Sequence, residues 1–352
     1  MTTIYVKEQG AKIGRKGERL VISKDQEVIK EYPLVNVQQL NLFGNVQLTT
    51  QAVATLLERE IDVTFLSIHG KFRGRLTGNG SPHVRLRQQQ YQRLRDPKLT
   101  LALAKAFVDG KIHNQRVVLQ RQTRRLASPP QAARGRAVVP ADPALFKRSL
   151  NGMMKMQRAA QKARDVDALR GYEGQAAANY FQAVRTLLED EWRFQKRDYY
   201  PPPDPFNALL SFAYSLLLKD VNGAVNSVGL DPYLGSFHEV AYGRPSLALD
   251  LMEEWRPYVA DALVLELINR GSLQPRDFHW TGRPKRPVEL GEEGVAVVLN
   301  AYGRRLETLI FHPGAGPAGG QTTLRQAIDL QARQFAQVIL GRRESYEPVK
   351  VK

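Results

Sequence analysis

The sequence predicts an α+β chain, with a small N-terminal β-sheet domain followed by a larger all-α domain. Three observations carry that expectation. Short β-branched runs fill roughly the first 76 residues. A Gly- and Ser-rich break stands at 77–82, and beyond it the apolar period changes to that of a helix and largely stays there. A length of 352 residues also suits about two domains.

Taken in order, Thr3-Ile4-Tyr5-Val6, Leu20-Val21-Ile22 and Val28-Ile29 read as short strands separated by Gly, Lys and Asp turns. Residues 35–43 partly alternate, which predicts a half-buried strand ended by Gly44-Asn45. Thr49 and Thr50 stand where an N-cap belongs, ahead of a helix over 51–59 with Val53, Leu56 and Leu57 at helical spacing. Residues 61–66 return to strand, and 71–76 give a last one. The expected boundaries are 1–78 for the β domain, 79–83 for the linker and 84–345 for the helical domain. Helices are predicted over 84–94, 98–126, 143–164, 167–192, 206–228, 245–269 and 322–340. A Pro-rich turn falls at Tyr200-Pro201-Pro202-Pro203, and Gly229 closes the apolar helix after it. Residues 127–143 read as a mobile loop between two basic helices.

Composition excludes several chemistries. The absence of cysteine removes disulfides, thiolate metal sites, redox motifs and cysteine nucleophiles together. The N-terminal stretch turns polar by its eighth residue, unlike a signal peptide, and no apolar run approaches the roughly 18 residues of a membrane span. A soluble, cytoplasmic protein with no membrane partner is expected. The net charge is +16, and its position matters more than its size. Residues 81–165 hold 19 Lys and Arg against 4 Asp and Glu, which is +15 of that excess. A charge so concentrated reads as a footprint for a polyanion, with nucleic acid ahead of an anionic membrane or a merely solvated helical surface.

Few residues are suited to catalysis. His69, His83, His113, His279 and His312 fall near turns, in basic helices or beside Pro and Trp, and read as surface or structural. His238 differs, because it follows an apolar helix and a tight turn in Asp231-Pro-Tyr-Leu-Gly-Ser-Phe-His238. Asp250 and Glu253 lie three apart in an apolar run, so on a helix they share a face. The plainer alternatives, behind a site reading, are a capping box beginning at Asp250 and an ordinary surface face. The box requires the helix to start there, whereas Pro245-Ser246 offers an earlier start with Ser246 as cap. Glu173 sits among Gly171, Gly174 and three alanines that permit close helix packing. It reads either as a site residue or as a first-turn acid favoured by the helix dipole. Mixed His and carboxylate ligands suit Mg²⁺ or Mn²⁺. No P-loop, dinucleotide fingerprint or His-Glu-x-x-His is present.

Four motifs in this order carry a family resemblance. They are Glu173-Gly-x-Ala-Ala-x-x-Tyr-Phe181, Pro203-x-Pro205-x-Asn207-Ala-Leu-Leu-Ser-Phe-x-Tyr214, Gly229-Leu-Asp231-Pro-Tyr-Leu-Gly235-x-x-His238, and Arg244-Pro-Ser-Leu-Ala-Leu-Asp250-Leu-Met-Glu253-Glu-x-Arg256-Pro257. With Lys111-Ile-His-Asn114-Gln-Arg116 they resemble CRISPR-associated protein one, the endonuclease and integrase of spacer acquisition, over essentially the whole chain. The resemblance implies that Glu173, His238 and Glu253 ligate Mg²⁺ or Mn²⁺ and that Asp250 supports the catalytic site. Some relatives carry Asp where Glu253 stands. His238 is implied as a ligand through neutral imidazole rather than as a general base.

The implied reaction is transesterification, in which a DNA 3′-hydroxyl attacks a phosphodiester at the edge of a repeat. Arg85, Arg87, Lys105, Lys111, Arg116, Arg121, Arg124, Arg125, Lys147, Arg148, Lys155 and Arg158 would then contact the phosphates of double-stranded prespacer and repeat DNA. Tyr172 and Trp192 are candidates for stacking on a splayed base, although core packing suits them better. The implied assembly is a homodimer formed through the β domain and bridged by the companion CRISPR-associated protein two, often with an end-trimming nuclease. The competing expectations are a non-catalytic DNA-binding scaffold and a structure-specific nuclease that cuts without joining. Residues 166–300, which contain all three implied ligands, count 13 basic against 19 acidic residues. A basic cradle would thus feed an acidic centre.

Overall fold

The computed structural model describes residues 2–68, 72–76, 83–127 and 142–351. The chain divides into two units, Met1–Pro82 and His83–Lys352. The expected linker residues 79–82, His69 and positions 128–141 of the expected loop lie outside the described residues.

The first unit contains β1 (Thr2–Val6), β2 (Lys12–Lys16), β3 (Arg19–Lys24), β4 (Glu27–Pro33), β5 (Val37–Phe43), β6 (Gln47–Leu48), α1 (Thr50–Glu58), β7 (Asp62–Leu66) and β8 (Phe72–Leu76). They form two four-stranded sheets, ordered β1-β5-β7-β8 and β4-β3-β2-β6. β5 runs parallel to both β1 and β7, pairing Leu40 with Ile4 on one side and Val63 on the other. Every residue of β5 except Gln38 is buried. The expected half-buried strand is therefore a central one, and parallel strands flanked on both sides bury both faces. Thr49 caps α1 by accepting a hydrogen bond from the Ala52 amide at 3.2 Å. Ile4, Ile13, Leu20, Leu40, Leu56 and Val63 are among the core residues of this unit.

The second unit is mostly helical. Its elements are α2 (Val84–Arg93), α3 (Pro97–Ala127), α4 (Pro143–Gln161), α5 (Val166–Arg185), α6 (Pro205–Val228), α7 (Ser246–Met252), a π-helical stretch Arg256–Asp261, α8 (Ala262–Asn269), β9 (Phe278–Arg283), β10 (Arg286–Leu290), α9 (Glu292–Leu306), β11 (Leu309–His312), β12 (Gly320–Thr323) and α10 (Leu324–Ile339). α3, α4 and α5 pack on one another, and α6 packs against α7, the π-helical stretch and α10. Asp204 caps α6 by accepting from the Asn207 amide, and Gly229 ends that helix with φ near 90°. A left-handed terminal residue of this kind is the usual role of glycine after a helix.

The structure adds the short strands β2 and β6 to the expected set, ends the helix expected over 143–164 at Gln161, and differs more widely in four places. The helix expected over 245–269 is broken into α7, the π-helical stretch and α8. Pro257 lacks an amide hydrogen and its ring opposes the carbonyl four residues back, which belongs to Glu253. The expected helix 167–192 stops at Arg185, and Trp192 is buried against Phe278 rather than available for stacking. Two hairpins, β9–β10 and β11–β12, and the helix α9 occupy ground where an all-helical domain had no assigned elements. Finally, residues beyond 345 pack into the unit, with Tyr346, Val349 and Val351 buried. Among the described residues no helix is long and apolar enough to cross a membrane.

Candidate active site

Glu173 is the eighth residue of α5, whose N-cap Asp165 accepts from the Ala168 amide at 2.8 Å. It lies two turns inside the helix, so the first-turn dipole explanation does not apply. Gly174 faces open space. The close approach of α4 and α5 instead depends on Gly152, where an added Cβ would lie 2.6 Å from Asn179 Nδ2.

His238 lies in the irregular segment between α6 and α7. Without a ladder of its own, that segment is held by side chains from three helices. From α2, the fully buried Gln90 donates to the carbonyls of Asp231 and Leu234 at 2.9 and 3.0 Å and accepts from the Asp231 amide at 2.8 Å. Tyr91 donates to the Asp231 carboxylate. From α5, Arg170 donates twice to the Phe237 carbonyl, at 3.2 and 2.8 Å.

The third anchor is Asp250. It is fully buried within α7, which begins at Ser246, so Asp250 is not the start of a capping box. Ser246 is the first helical residue and no cap; its hydroxyl donates to the Glu239 carbonyl at 2.7 Å. Asp250 Oδ2 accepts from the Ser236 and Phe237 amides at 2.6 and 2.9 Å. Its Oδ1 accepts from the His238 amide at 2.8 Å and from His238 Nδ1 at 2.7 Å. One carboxylate thus fixes three consecutive backbone amides and the tautomer of the imidazole, leaving Nε2 as the free lone pair. Gly235 makes this possible, because a Cβ there would stand 2.5 Å from Asp250 Oδ2 and 2.8 Å from the Ser246 backbone.

Glu253 follows α7 directly and is only 2% exposed. His238 Nε2 lies 3.6 Å from its Oε1, and Arg256 lies 3.4 Å from the same oxygen. Lys111, on α3, reaches both acids: its Nζ is 2.5 Å from Glu173 Oε1 and 2.5 Å from Glu253 Oε2. Burial alone would raise the Glu253 carboxyl, but Arg256, Lys111 and His238 outweigh it and lower its pKa to about 2. Burial likewise opposes the Lys111 ammonium, yet Glu173 and Glu253 raise its pKa overall. Among the described residues no three His, Asp or Glu side chains are gathered as a ready metal cluster. Glu173 and Glu253 instead converge on a lysine.

Around this centre lies a second buried layer. Arg256 stacks 5.0 Å from the Tyr214 ring centroid, and Tyr214 donates to Asp261 at 2.7 Å. Burial raises the Asp261 carboxyl to about 6, although its hydrogen bonds with Tyr214 and Tyr180 pull the other way. Asn207 holds the approach to α6 by donating to the Lys196 carbonyl and accepting from Arg197 and the Asp198 amide.

The expected DNA contacts divide by burial. Arg85, Arg121, Lys147, Arg148, Lys155 and Arg158 are exposed, while Arg87, Lys105 and Arg116 are half-buried. Arg116 donates to Gln157 at 3.0 Å beside Arg158, in a shallow depression between α3 and α4. The side chains of Arg124 and Arg125 lie outside the described residues. Lys111 departs from the expectation, because it turns inward onto two carboxylates instead of outward to phosphate. Tyr172 is half-buried. Gln90 and Arg170 are positioning residues that the sequence patterns did not single out, with the polar Gln90 within the 84–94 helix pattern as their one signal; Lys111 stood in a family motif, but with the role of a DNA contact.

The model of CRISPR associated protein Cas1 matches residues 4–304. The chain belongs to this family. It is 36% identical to CRISPR-associated endonuclease Cas1 3 of Thermus thermophilus, over 99% of this chain and 97% of that one. It is 34% identical to a CRISPR-associated exonuclease Cas4/endonuclease Cas1 fusion of Geobacter sulfurreducens, covering 97% of this chain and 59% of the fusion. Membership makes the chain an enzyme of the nuclease class. In fold it is similar to a casposase bound to integration product, with a TM-score of 0.80 and 24% identity over 100% of this chain and 95% of that one. A chain of a Cas6-RT-Cas1–Cas2 complex superposes with a TM-score of 0.78 at 24% identity, covering 100% of this chain and 36% of that one.

Proposed function

We propose that the chain is a divalent-metal-dependent DNA endonuclease and integrase of CRISPR adaptation, joining spacer 3′-hydroxyl ends to the repeat array by transesterification. The observation that carries this reading is the convergence of Glu173 and Glu253 on one buried cation beside the Nε2 edge of His238. Two carboxylates and an imidazole suit a hard divalent ion, and the position already attracts positive charge. Glu173, Glu253 and His238 Nε2 would hold Mg²⁺ or Mn²⁺. When bound, such an ion supplies charge neutralisation at the scissile phosphate and a lower pKa for the attacking hydroxyl.

The chain's own residues do the remainder. Asp250 is a positioning residue that keeps the Nδ1 proton in place and Nε2 facing Glu253. Arg256 and Lys111 keep Glu253 ionised. The exposed Arg85, Arg121, Lys147, Arg148, Lys155 and Arg158 bind the backbone of double-stranded DNA without reading bases. The protein works as a homodimer through its β domain in the cytoplasm of a prokaryotic cell. Its partners are CRISPR-associated protein two, a reading supported by its likeness in fold to part of one chain of a Cas6-RT-Cas1–Cas2 complex, and an end-trimming nuclease, supported by the Cas4 fusion.

The test is strand transfer on a leader–repeat plasmid, with the companion protein and each divalent metal. Glu173→Ala, His238→Ala and Glu253→Ala should each lower joining by more than about 100-fold, since outer-shell partners alone cost 10–100-fold. Undiminished joining by a well-folded Glu253→Ala protein would sink the reading. Products that are cut and never joined identify a nuclease alone, and binding without turnover identifies a scaffold. Neutralising Arg121, Lys147, Arg148 and Arg158 together should flatten the salt dependence of DNA affinity, by about 0.9 in log–log slope per lost phosphate contact.

A further inference from the structure

We infer that Lys111 is a built-in cation that occupies the metal's place between Glu173 and Glu253 and is displaced when the metal binds. The inference rests on the metal-site reading above and concerns what that site contains before loading. Lys111 Nζ stands 2.5 Å from Glu173 Oε1 and 2.5 Å from Glu253 Oε2, and the residue is only 9% exposed. It is one of the basic residues of the strongly positive 81–165 segment, yet it is turned away from the surface that segment presents. Without it, Arg256 beside Glu253 Oε1 would be left to offset both carboxylates, and like charges so placed repel.

A compact ammonium on a flexible four-carbon stem suits this duty better than a guanidinium, because it is a point charge that can withdraw. A divalent ion ligated by the same two carboxylates needs oxygen contacts of roughly 2.1 Å for Mg²⁺. An ammonium already in contact with both oxygens cannot share that space. Loading is therefore an exchange of one cation for another. Lys111 stabilises the unloaded protein, and the same contact weakens its affinity for metal, since the two effects are one coupling seen from two sides.

The experiment measures Mn²⁺ binding by the full-length protein without DNA, using calorimetry and the paramagnetic resonance signal of free Mn²⁺. Lys111→Met, which keeps the length and removes the charge, should bind Mn²⁺ on the order of tenfold more tightly than the unmodified chain. Its melting temperature without metal should fall, and Mn²⁺ should raise it by more than it raises that of the unmodified chain. Equal or weaker Mn²⁺ binding by a folded Lys111→Met protein overturns the exchange while leaving the metal site standing. Absence of Mn²⁺ binding in the unmodified chain overturns both. Should Lys111→Met not fold, acylation footprinting of the unmodified chain decides: Lys111 should become several-fold more reactive at saturating Mn²⁺, and unchanged or lower reactivity rejects the displacement.

Discussion

Glu253 and Glu254 are the same residue type one peptide bond apart, and both are buried, yet they face two different regions. Glu253 turns toward Lys111, Arg256 and the His238 ring, and the positive charge of Arg256 and Lys111 outweighs its burial and lowers its pKa to about 2. Glu254 turns toward the C-terminal segment, where it accepts from Tyr346 at 2.6 Å, from Gln331 at 3.0 Å and from the Val349 amide at 2.6 Å. These donors are neutral, and burial raises its carboxyl to about 7 in spite of them. Burial by itself therefore does not mark a functional acid. At these two adjacent positions the charge of the neighbours separates a site from a fastening.

The sharpest way to break this contrast is activity. Glu253→Gln should reduce strand joining by more than about 100-fold, given what even supporting residues are worth at metal sites. Glu254→Gln, which imitates the protonated acid, should retain most of it. Comparable losses in the two folded variants, measured on the same plasmid substrate, would erase the distinction.

The next effect is on stability and pH. In the unfolded chain Glu254 loses its proton near pH 4.5, and in the folded chain near pH 7. Between those values the unfolded state binds fewer protons, so stability falls as pH rises, by about 3 kcal/mol in all, and then levels off. Denaturant melts between pH 4.5 and 8 should show this slope in the unmodified chain and a shallower one in Glu254→Gln, where the raised carboxyl of Asp261 still contributes at the lower end of the window. The Glu253 contribution has the opposite sign. It is present above about pH 4.5 and lost as pH falls toward 2, outside the window of the comparison.

Two glycines give the smallest and most local comparison. Gly235→Ala would drive a methyl group against Asp250 Oδ2, and Gly110→Ala would drive one to 2.7 Å from Pro348 Cβ and 3.2 Å from Glu254 Cβ. Overpacking of this kind costs about 1–3 kcal/mol at either position. Only the first should also lower activity per folded molecule, because only it disturbs the hold on His238. Thermal melts paired with single-turnover joining check both halves of the claim.

Much of this organisation was legible in the sequence. The change of apolar period and the cap at Thr49 reflect local physics, so the order of most strands and helices up to α6 could be read in advance. Glu173, His238, Asp250 and Glu253 announced themselves through motif order, and the fold brings them into one neighbourhood. The missing parts were non-local. β5 looked half-buried because its two parallel neighbours come from distant parts of the chain. The valines of α9 weigh against a helix until packing decides otherwise. Lys111 was counted with the basic surface because a charge profile cannot show which lysine turns inward. Gln90 and Arg170 matter only because α2 and α5 meet one loop, a coincidence of three dimensions.

That loop has a further consequence in the time domain. The amides of Ser236, Phe237 and His238 belong to no helix or strand, and irregular segments ordinarily exchange their amide hydrogens with water quickly. Here Asp250, buried inside the unit, accepts all three. Their exchange should be as slow as that of the helical core around them, opening only when the core itself opens. By this measure the irregular stretch carrying the imidazole should rank with the most persistent parts of the molecule.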